Sequence, residues 1–336
     1  MMAALGDGML EILSILWISV ISVLQAPLDS SSHLFAPYLV TSLIIAAAVY
    51  LWPRRRQAET EPRGVVGYVR FLFPTKVWSH PSAWVDVRYF ALHQLVRVWI
   101  YGPFVVFATL RFAEASHSVI ERLMESGPVH ADEPSFAIRL LISLAVAVAV
   151  DFAGFFLHYL QHKIPVLWEF HRVHHSALVL NPLTNYREHP VDNILYAIAL
   201  SAGAGITSGC LLSLLGVAPT EVAIAGASLP AFLFNVFGYH LRHSHIWLRW
   251  PGFLAYAFGC PAHHQIHHSC EPEHIDKNLA FHFPIWDVLF GTFCLPEREP
   301  KMTSGLGDGT EGEYSSFLRI YRLPFIRLYQ RHFGTR

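Results

Sequence analysis

Long apolar runs set the terms of any fold this chain can adopt. Stretches from roughly Met9 to Gln25, Phe35 to Trp52, Leu92 to Phe112 and Phe136 to Leu157 come close to or reach the ~20 residues a helix needs to cross a bilayer. A further pair, Asn193 to Leu215 and Val222 to Phe237, is apolar but rich in Gly, Ser and Thr, which fits a close-packed spanning hairpin or a re-entrant one. Hydrophobic residues make up 53% of the 336, against 15% charged, so much of the solvent around this chain is lipid. Backbone groups in lipid must be paired within the chain, and helices do this segment by segment. The expected fold is therefore all-α, an integral membrane helical bundle, multi-pass, with a histidine-rich helical cap on its cytoplasmic side.

The cap is expected from the histidines. Five fall between His158 and His175 as HxxxH followed by HxxHH, and a second HxxHH follows at His264, His267 and His268. Residues three or four apart share a helical face, so His158 projects with His162, and His171 with His174 or His175. The second triplet repeats that geometry, and three such faces can enclose a dinuclear metal centre. Neutral imidazole donates through one ring nitrogen and keeps the other for a neighbouring hydrogen bond, which suits redox iron. Among 21 histidines a lone HxxxH is more often incidental than a site, but two HxxHH triplets are not. A zinc protease is excluded because Tyr159, Leu160 and Gln161 fill the first pair where HExxH needs Glu. A carboxylate di-iron bundle needs Glu-x-x-His pairs among its ligands, and the acid beside the first histidine triplet, Glu169, lies two residues before His171 and cannot form one.

Sidedness is read from basic residues in short loops. Arg54, Arg55 and Arg56, extended by Arg63, Arg70, Lys76 and Arg88, predict a cytoplasmic exit for the second apolar run. The connection from Ala26 to Leu34 has no Lys or Arg, and Glu114 to Ser135 is mostly acidic, so both are expected outside. Counting crossings, the fourth run ends on the cytoplasmic side, where His158 sits. The first run lacks the basic flank and cleavage site of a signal peptide. Cys210, Cys260, Cys270 and Cys294 form no CxxC and are expected reduced. A formal net charge of -1 gives no reason to expect nucleic acid. The segment with Phe317, Ile320, Tyr321, Leu323 and Phe325 interleaved with Arg319, Arg322 and Arg327 reads as an interfacial element or a packed tail.

Beyond spacing, the residues resemble a known family. DFAGFFLHYLQHKIPVLWEFHRVHHS, from Asp151 to Ser176, is similar to the first half of the fatty acid hydroxylase and sterol desaturase superfamily pattern. The likeness continues through Arg187, His189 and Pro190 of an R-x-H-P element, through RHSHIWL with His243, and through PAHHQIHHS and DKNLAFHFPIWDVLFGT, covering about Asp151 to Pro296. The resemblance implies iron ligands at His158, His162, His171, His174, His175, His243, His264, His267 and His268, enough for two non-haem ferrous ions. His240, three residues before His243, is a further candidate ligand. His189 is placed beside the ligands or as an additional one, with Arg187 from the same element, and Asp151, Asp276, Asn278 and Asp287 are expected to orient ligand N–H groups. The sequence departs from the family at Tyr159, where Arg is usual, at His245, where Asn is usual, and at Leu279-Ala280, where Tyr-Gly is usual. His263 and His282 stand where the family commonly has non-ligands. These changes spare the histidine set and put the substrate in doubt.

The function implied is a membrane-bound di-iron oxygenase that uses dioxygen to hydroxylate a lipid, whether acyl chain, sterol, hopanoid or carotenoid. Desaturation or ether-bond cleavage by the alkylglycerol-type branch uses the same site and stays open. No flavin, nicotinamide or fused cytochrome motif is present, so electrons are expected from a separate ferredoxin or b-type cytochrome with its reductase. A histidine-rich metal transporter would place its ligands mid-membrane, and a bis-histidine haem protein needs only two pairs of axial ligands, fewer than the triplets supply. The expected organisation is an N-terminal membrane region with a cytoplasmic loop (1–135), the catalytic unit (136–300) and a C-terminal tail (301–336).

Overall fold

Proline fixes where many of the helices begin. Its missing N–H costs nothing in a first turn, and its φ is already helical. In the computed structural model, which describes residues 34–52, 64–124, 135–215, 235–297 and 302–334 together with positions 17, 20, 21 and 24–28, every regular element is helical. An isolated bridge between Ser269 and Ser304 is the nearest approach to strand pairing among the described residues. The principal helices are α1 (Ala36–Leu51), α2 (Gly64–Leu72), α3 (Pro81–Met124), α4 (Phe136–Lys163), α5 (Pro165–His175), α6 (Pro190–Leu214), α7 (Pro261–His267), α8 (Ile285–Phe290) and α9 (Phe317–Phe333).

Three long helices, α3, α4 and α6, form the apolar half. Two of them, α4 and α6, are long and apolar enough to cross a membrane. α4 starts on its Ser135 cap, whose hydroxyl accepts from the Ile138 N–H. It buries Ile142, Val146, Gly154, Phe155 and His158 along one stripe and leaves Leu141, Leu144, Val148, Phe152 and Phe156 on the outside. Against it, Leu212 of α6 closes a small core with Ile142 and Val146. α6 meets α3 at unusually short range through the Gly205-x-x-x-Gly209 spacing. A Cβ on Gly205 would lie 2.4 Å from the Thr109 carbonyl oxygen, and one on Gly209 would lie 2.4 Å from that of Ala113. Small residues let backbones approach where no hydrophobic effect drives helices together. Ser201 Oγ adds a hydrogen bond to the Val105 carbonyl at 3.2 Å.

Of the two readings of the Gly-rich run from Asn193, the spanning one agrees with the structure, where the run lies in one continuous 25-residue helix. Several other expectations change. The segment from Glu114 is not a loop: α3 runs on to Met124, held by an Arg111–Glu114 ion pair and a His117–Glu121 contact at 3.2 Å along its surface. At 44 residues it is about 66 Å long. α1 has 16 residues, about 24 Å, which is short of a ~30 Å hydrocarbon layer. It packs on α2 and on the Tyr239–Leu241 turn rather than along the long helices. Most of the first apolar run, most of Val222 to Phe237 and the Arg54–Arg56 cluster lie outside the described residues.

The cap follows from chain breaks at the ends of the long helices. Ile164 precedes a proline and is extended, which ends α4 and turns the chain into α5. His189 caps α6, its Nδ1 accepting from the Val191 N–H at 3.1 Å. The C-terminal segment is packed, as one of the two sequence readings allowed. Tyr314 and Ile320 are buried with Val85, Tyr89 and Val173 in one core, and Phe325 lies against Phe170 and His189. Arg187 and Asp86 pair across this region at 2.5 Å, fully buried, and Ser82, Asn181 and Thr184 take up their remaining hydrogen bonds.

Candidate metal centre

The histidines converge from four places: the last turn of α4, the length of α5, the turn bearing His243, and α7 with its cap residue His268. They form two groups whose donor nitrogens lie within 4.8 Å of one another. One comprises His158, His162, His171, His175 and His267, the other His174, His243, His264 and His268. Each HxxHH triplet is thus divided. His171 and His175, four apart, face the first group while His174 faces the second; His264 and His268 face the second while His267 faces the first. The choice between His174 and His175 that spacing leaves open is settled by the i, i+4 pairing, with the intervening residue turned to the neighbouring group.

Ring orientation is fixed from behind. His158 Nδ1 donates to the Leu279 carbonyl at 2.7 Å, His171 Nδ1 to the Asp192 carboxylate at 3.0 Å, His162 Nδ1 to Asp276 at 3.1 Å, His267 Nδ1 to the Lys277 carbonyl at 3.1 Å and His174 Nδ1 to the Arg187 carbonyl at 3.3 Å. Carbonyl and carboxylate oxygens only accept, so these five rings carry their proton on Nδ1 and present a bare Nε2 lone pair inward. His158 Nε2 and His171 Nε2 then stand 3.1 Å apart with no proton between them. In the second group, His243 Nε2 lies 3.1, 2.8 and 3.0 Å from the Nε2 atoms of His174, His264 and His268. The Nε2 atoms of His162, His175 and His267 are buried without a hydrogen-bond partner. Facing lone pairs and orphaned acceptors in a buried site are repulsive or costly on their own, and a cation among them removes both penalties.

Burial also keeps the rings neutral. It holds His171, His175, His243, His264, His267 and His268 well below the ordinary imidazole range, with neighbouring imidazoles adding to the effect, and pushes His174 down to about 3. Neutral nitrogen is the form that ligates a metal. Asp276 is lowered as well, to about 2, but there the charged form is favoured, because His162 hydrogen-bonds it and Lys163 lies 2.6 Å away.

The remaining candidates have other places. His240 is in neither group; it lies beside Tyr239 and lines a cavity under α1. His189 caps α6 and its Nε2 bonds the Tyr321 carbonyl, while Arg187 is held by Asp86. Asp151 orients no grouped histidine: it binds the N–H groups of His282 and Phe283, the His282 ring and the Trp286 indole, pinning the start of α8 to α4. Asp287 accepts from the Leu279 and Ala280 N–H groups and so positions the carbonyl that His158 uses. Asn278, at φ 54°, ties the same loop to Cys294 and to the His263 carbonyl. His263 bonds the Cys260 N–H, and His245 donates to the Phe71 carbonyl.

Asp192 was missed by sequence reasoning. It is fully buried on the first turn of α6, bonds His171, and is held in turn by Gln161, which accepts from Tyr196. An acidic residue opening an apolar helix three positions after His189 is the signal that marks it.

A family model described as fatty acid hydroxylase matches residues 143–292. The chain is similar to alkylglycerol monooxygenase of Danio rerio, 31% identical over 47% of this chain and 31% of the relative. It is also similar to an ornithine lipid hydroxylase of Rhizobium tropici, 30% identical over 58% of this chain and 53% of the relative. A very-long-chain aldehyde decarbonylase of Arabidopsis thaliana is 26% identical over 46% of this chain and 23% of the relative. The chain therefore spans from about a third to about half of the first two relatives' length. No solved structure matches it. All nine grouped histidines fall inside the matched segment, which carries the chain's likeness to the fatty acid hydroxylase superfamily.

Proposed function

We propose that this chain is a membrane-bound non-haem di-iron oxygenase that hydroxylates a lipid at the expense of dioxygen and externally supplied electrons. The observation that carries the reading is the pair of buried histidine groups with inward Nε2 lone pairs. His158, His162, His171, His175 and His267 would hold one iron; His174, His243, His264 and His268 would hold the other. Bound iron supplies dioxygen activation and the oxidising power to break an unactivated C–H bond. The chain's own part is to fix the ligand rings through Asp192, Asp276, Leu279, Lys277 and Arg187, and to exclude water from a site whose histidines are nearly all buried. Exposed apolar side chains on α4 and α6 set the bundle in the bilayer, and the basic residues near Arg54 put the cap on the cytoplasmic side, within reach of a ferredoxin or b-type cytochrome. The catalytic unit is assigned to 136–300, between the N-terminal membrane region and the tail.

The names of the relatives favour an oxygen-inserting reaction on a lipid, since one is a monooxygenase of alkylglycerols and another a hydroxylase of ornithine lipids. Ether cleavage is accordingly the second reading. Metal analysis of the purified protein is expected to give two irons per chain and no Soret band. With labelled dioxygen, an electron donor and a lipid extract, the product should carry one labelled hydroxyl. An unlabelled double bond would replace hydroxylation by desaturation, a fatty aldehyde would point to ether cleavage, and a protein without iron would end the oxygenase reading.

A further inference from the structure

Two cavities lie back to back on the α1 side of the cap. The first, about 300 Å³, is enclosed by Leu39, Leu43, Ala46, Leu72, Val77 and Ile246 and is almost wholly apolar. The second, about 500 Å³, carries polar groups, among them Lys76, Gln265, Glu271 and Thr303. Val77, Leu180, Ser244 and His245 line both, so the two spaces adjoin at His245, the residue that stands where the family usually has Asn. Their wall is also the back of the four-histidine group. Leu241 and Ser244 lie on either side of His243, and the Gln265 amide, between His264 and His267, donates to the carbonyls of Leu241, Ser244 and Ile246 at 3.1, 2.9 and 3.0 Å.

Three features point to an occupant. An apolar chamber adjoining a polar one matches a molecule with an apolar chain and a polar head, and burying each methylene of such a chain is favourable. Ser42, 6% exposed, lines the apolar chamber with its hydroxyl oxygen unpartnered, in a position where a ligand or its water could satisfy it. The chamber is continuous with an apolar outer surface: Leu39, Leu43 and Phe73 line it and remain 37%, 48% and 54% exposed, next to exposed Val40 and Ile44. A chain can therefore enter sideways from hydrocarbon without crossing water.

We propose that these adjoining cavities together bind one amphiphilic lipid molecule, its alkyl chain between α1 and the His240–Ile246 segment and its polar head at Lys76 and Glu271. That the bound lipid is the substrate rests on the oxygenase reading; that the site holds a lipid does not. The test uses full-length, iron-loaded protein in nanodiscs and a palmitoyl lysophospholipid bearing a diazirine on its chain, with cross-links mapped by peptide mass spectrometry. Cross-links are expected within 39–46, 72–78 and 240–246. Ser42→Phe, which fills the chamber, and Leu39→Trp, which blocks its mouth from a half-exposed position, should each reduce them about ten-fold or more while iron content stays at the wild-type value. If Ser42→Phe also loses iron, Leu39→Trp alone decides. Cross-links confined to the outer faces of α4 and α6, or unchanged in Leu39→Trp, overturn the proposal. Specific cross-linking in a protein that turns over no lipid would leave this site standing and remove the oxygenase reading instead.

Discussion

Asp192 illustrates how much a single buried side chain can determine. It is an acid in an apolar neighbourhood, and its oxygens are divided between His171 and Gln161. A carboxylate behind a ligating imidazole fixes the tautomer and raises the ring's basicity, and losing it typically lowers metal affinity about 10- to 100-fold. Asp192→Asn keeps the shape and removes the charge. The expected outcome is normal helix content, iron lost preferentially from one of two sites, and weaker competition against a chelator. Retention of both irons at wild-type affinity would show that the carboxylate has no such part. Asp276, more exposed and paired with Lys163 as well as His162, should matter less. The grouping of the histidines was legible in spacing and resemblance because HxxxH and HxxHH constrain which rings share a face. Asp192 was not, since a lone acid carries no spacing, and its partners lie 21 and 31 residues away. Asp151 misled for the same reason: its partners are backbone groups of 282 and 283, which no pattern announces.

Among the elements, α3 and α6 depend on their contact more than their composition announces. The carbonyl oxygen and Ser116 hydroxyl that a Gly209 side chain would strike, both at 2.4 Å, belong to the facing helix, and the carbonyl is part of its backbone and has no room to yield. Gly209→Leu should separate the two helices, lower thermal stability in detergent by about 1–3 kcal/mol and leave helix content almost unchanged. Gly312→Ala, with no atom within 4 Å of the new methyl, is the control and should shift the melting temperature negligibly. A Gly209→Leu protein that melts with wild type would mean the close approach is not used. Apolar runs announced α4 and α6 well. They overstated α1, whose hydrophobic length covers the cap, and they missed the extension of α3 through 114–124, where polar residues pair along the helix surface instead of ending it.

For the whole molecule, the concentration of neutral imidazoles makes stability a function of acidity. Seven of the grouped histidines outside the long helices have folded-state values pushed below the ordinary ~6.5 by burial, His174 to about 3. An unfolded chain binds those protons more readily than the folded one, so stability is complete above about pH 6.5 and declines as pH falls toward 3. The metal-free protein should therefore lose melting temperature progressively from about pH 6.5 downward, and iron should dissociate over the same range because protons compete for the same lone pairs. Melting curves in detergent from about pH 8 to about pH 4 would check this, and a flat profile would contradict the neutral-ring assignment.

The buried Arg187–Asp86 pair has a consequence for what counts as a unit. Arg187 lies within the stretch shared with the family, and Asp86 lies outside it, on α3. The core beside them likewise mixes Val173 from inside with Val85, Tyr89, Tyr314 and Ile320 from outside. Excising 143–292 would leave a guanidinium buried without its counter-charge, a loss of about 3–5 kcal/mol before any apolar surface is counted. The region by which relatives recognise one another is therefore not a portable module. Exchanging it between chains requires carrying along the first turns of α3 and the C-terminal segment, and variation on the two sides of those borders is tied together by the pairs that straddle them.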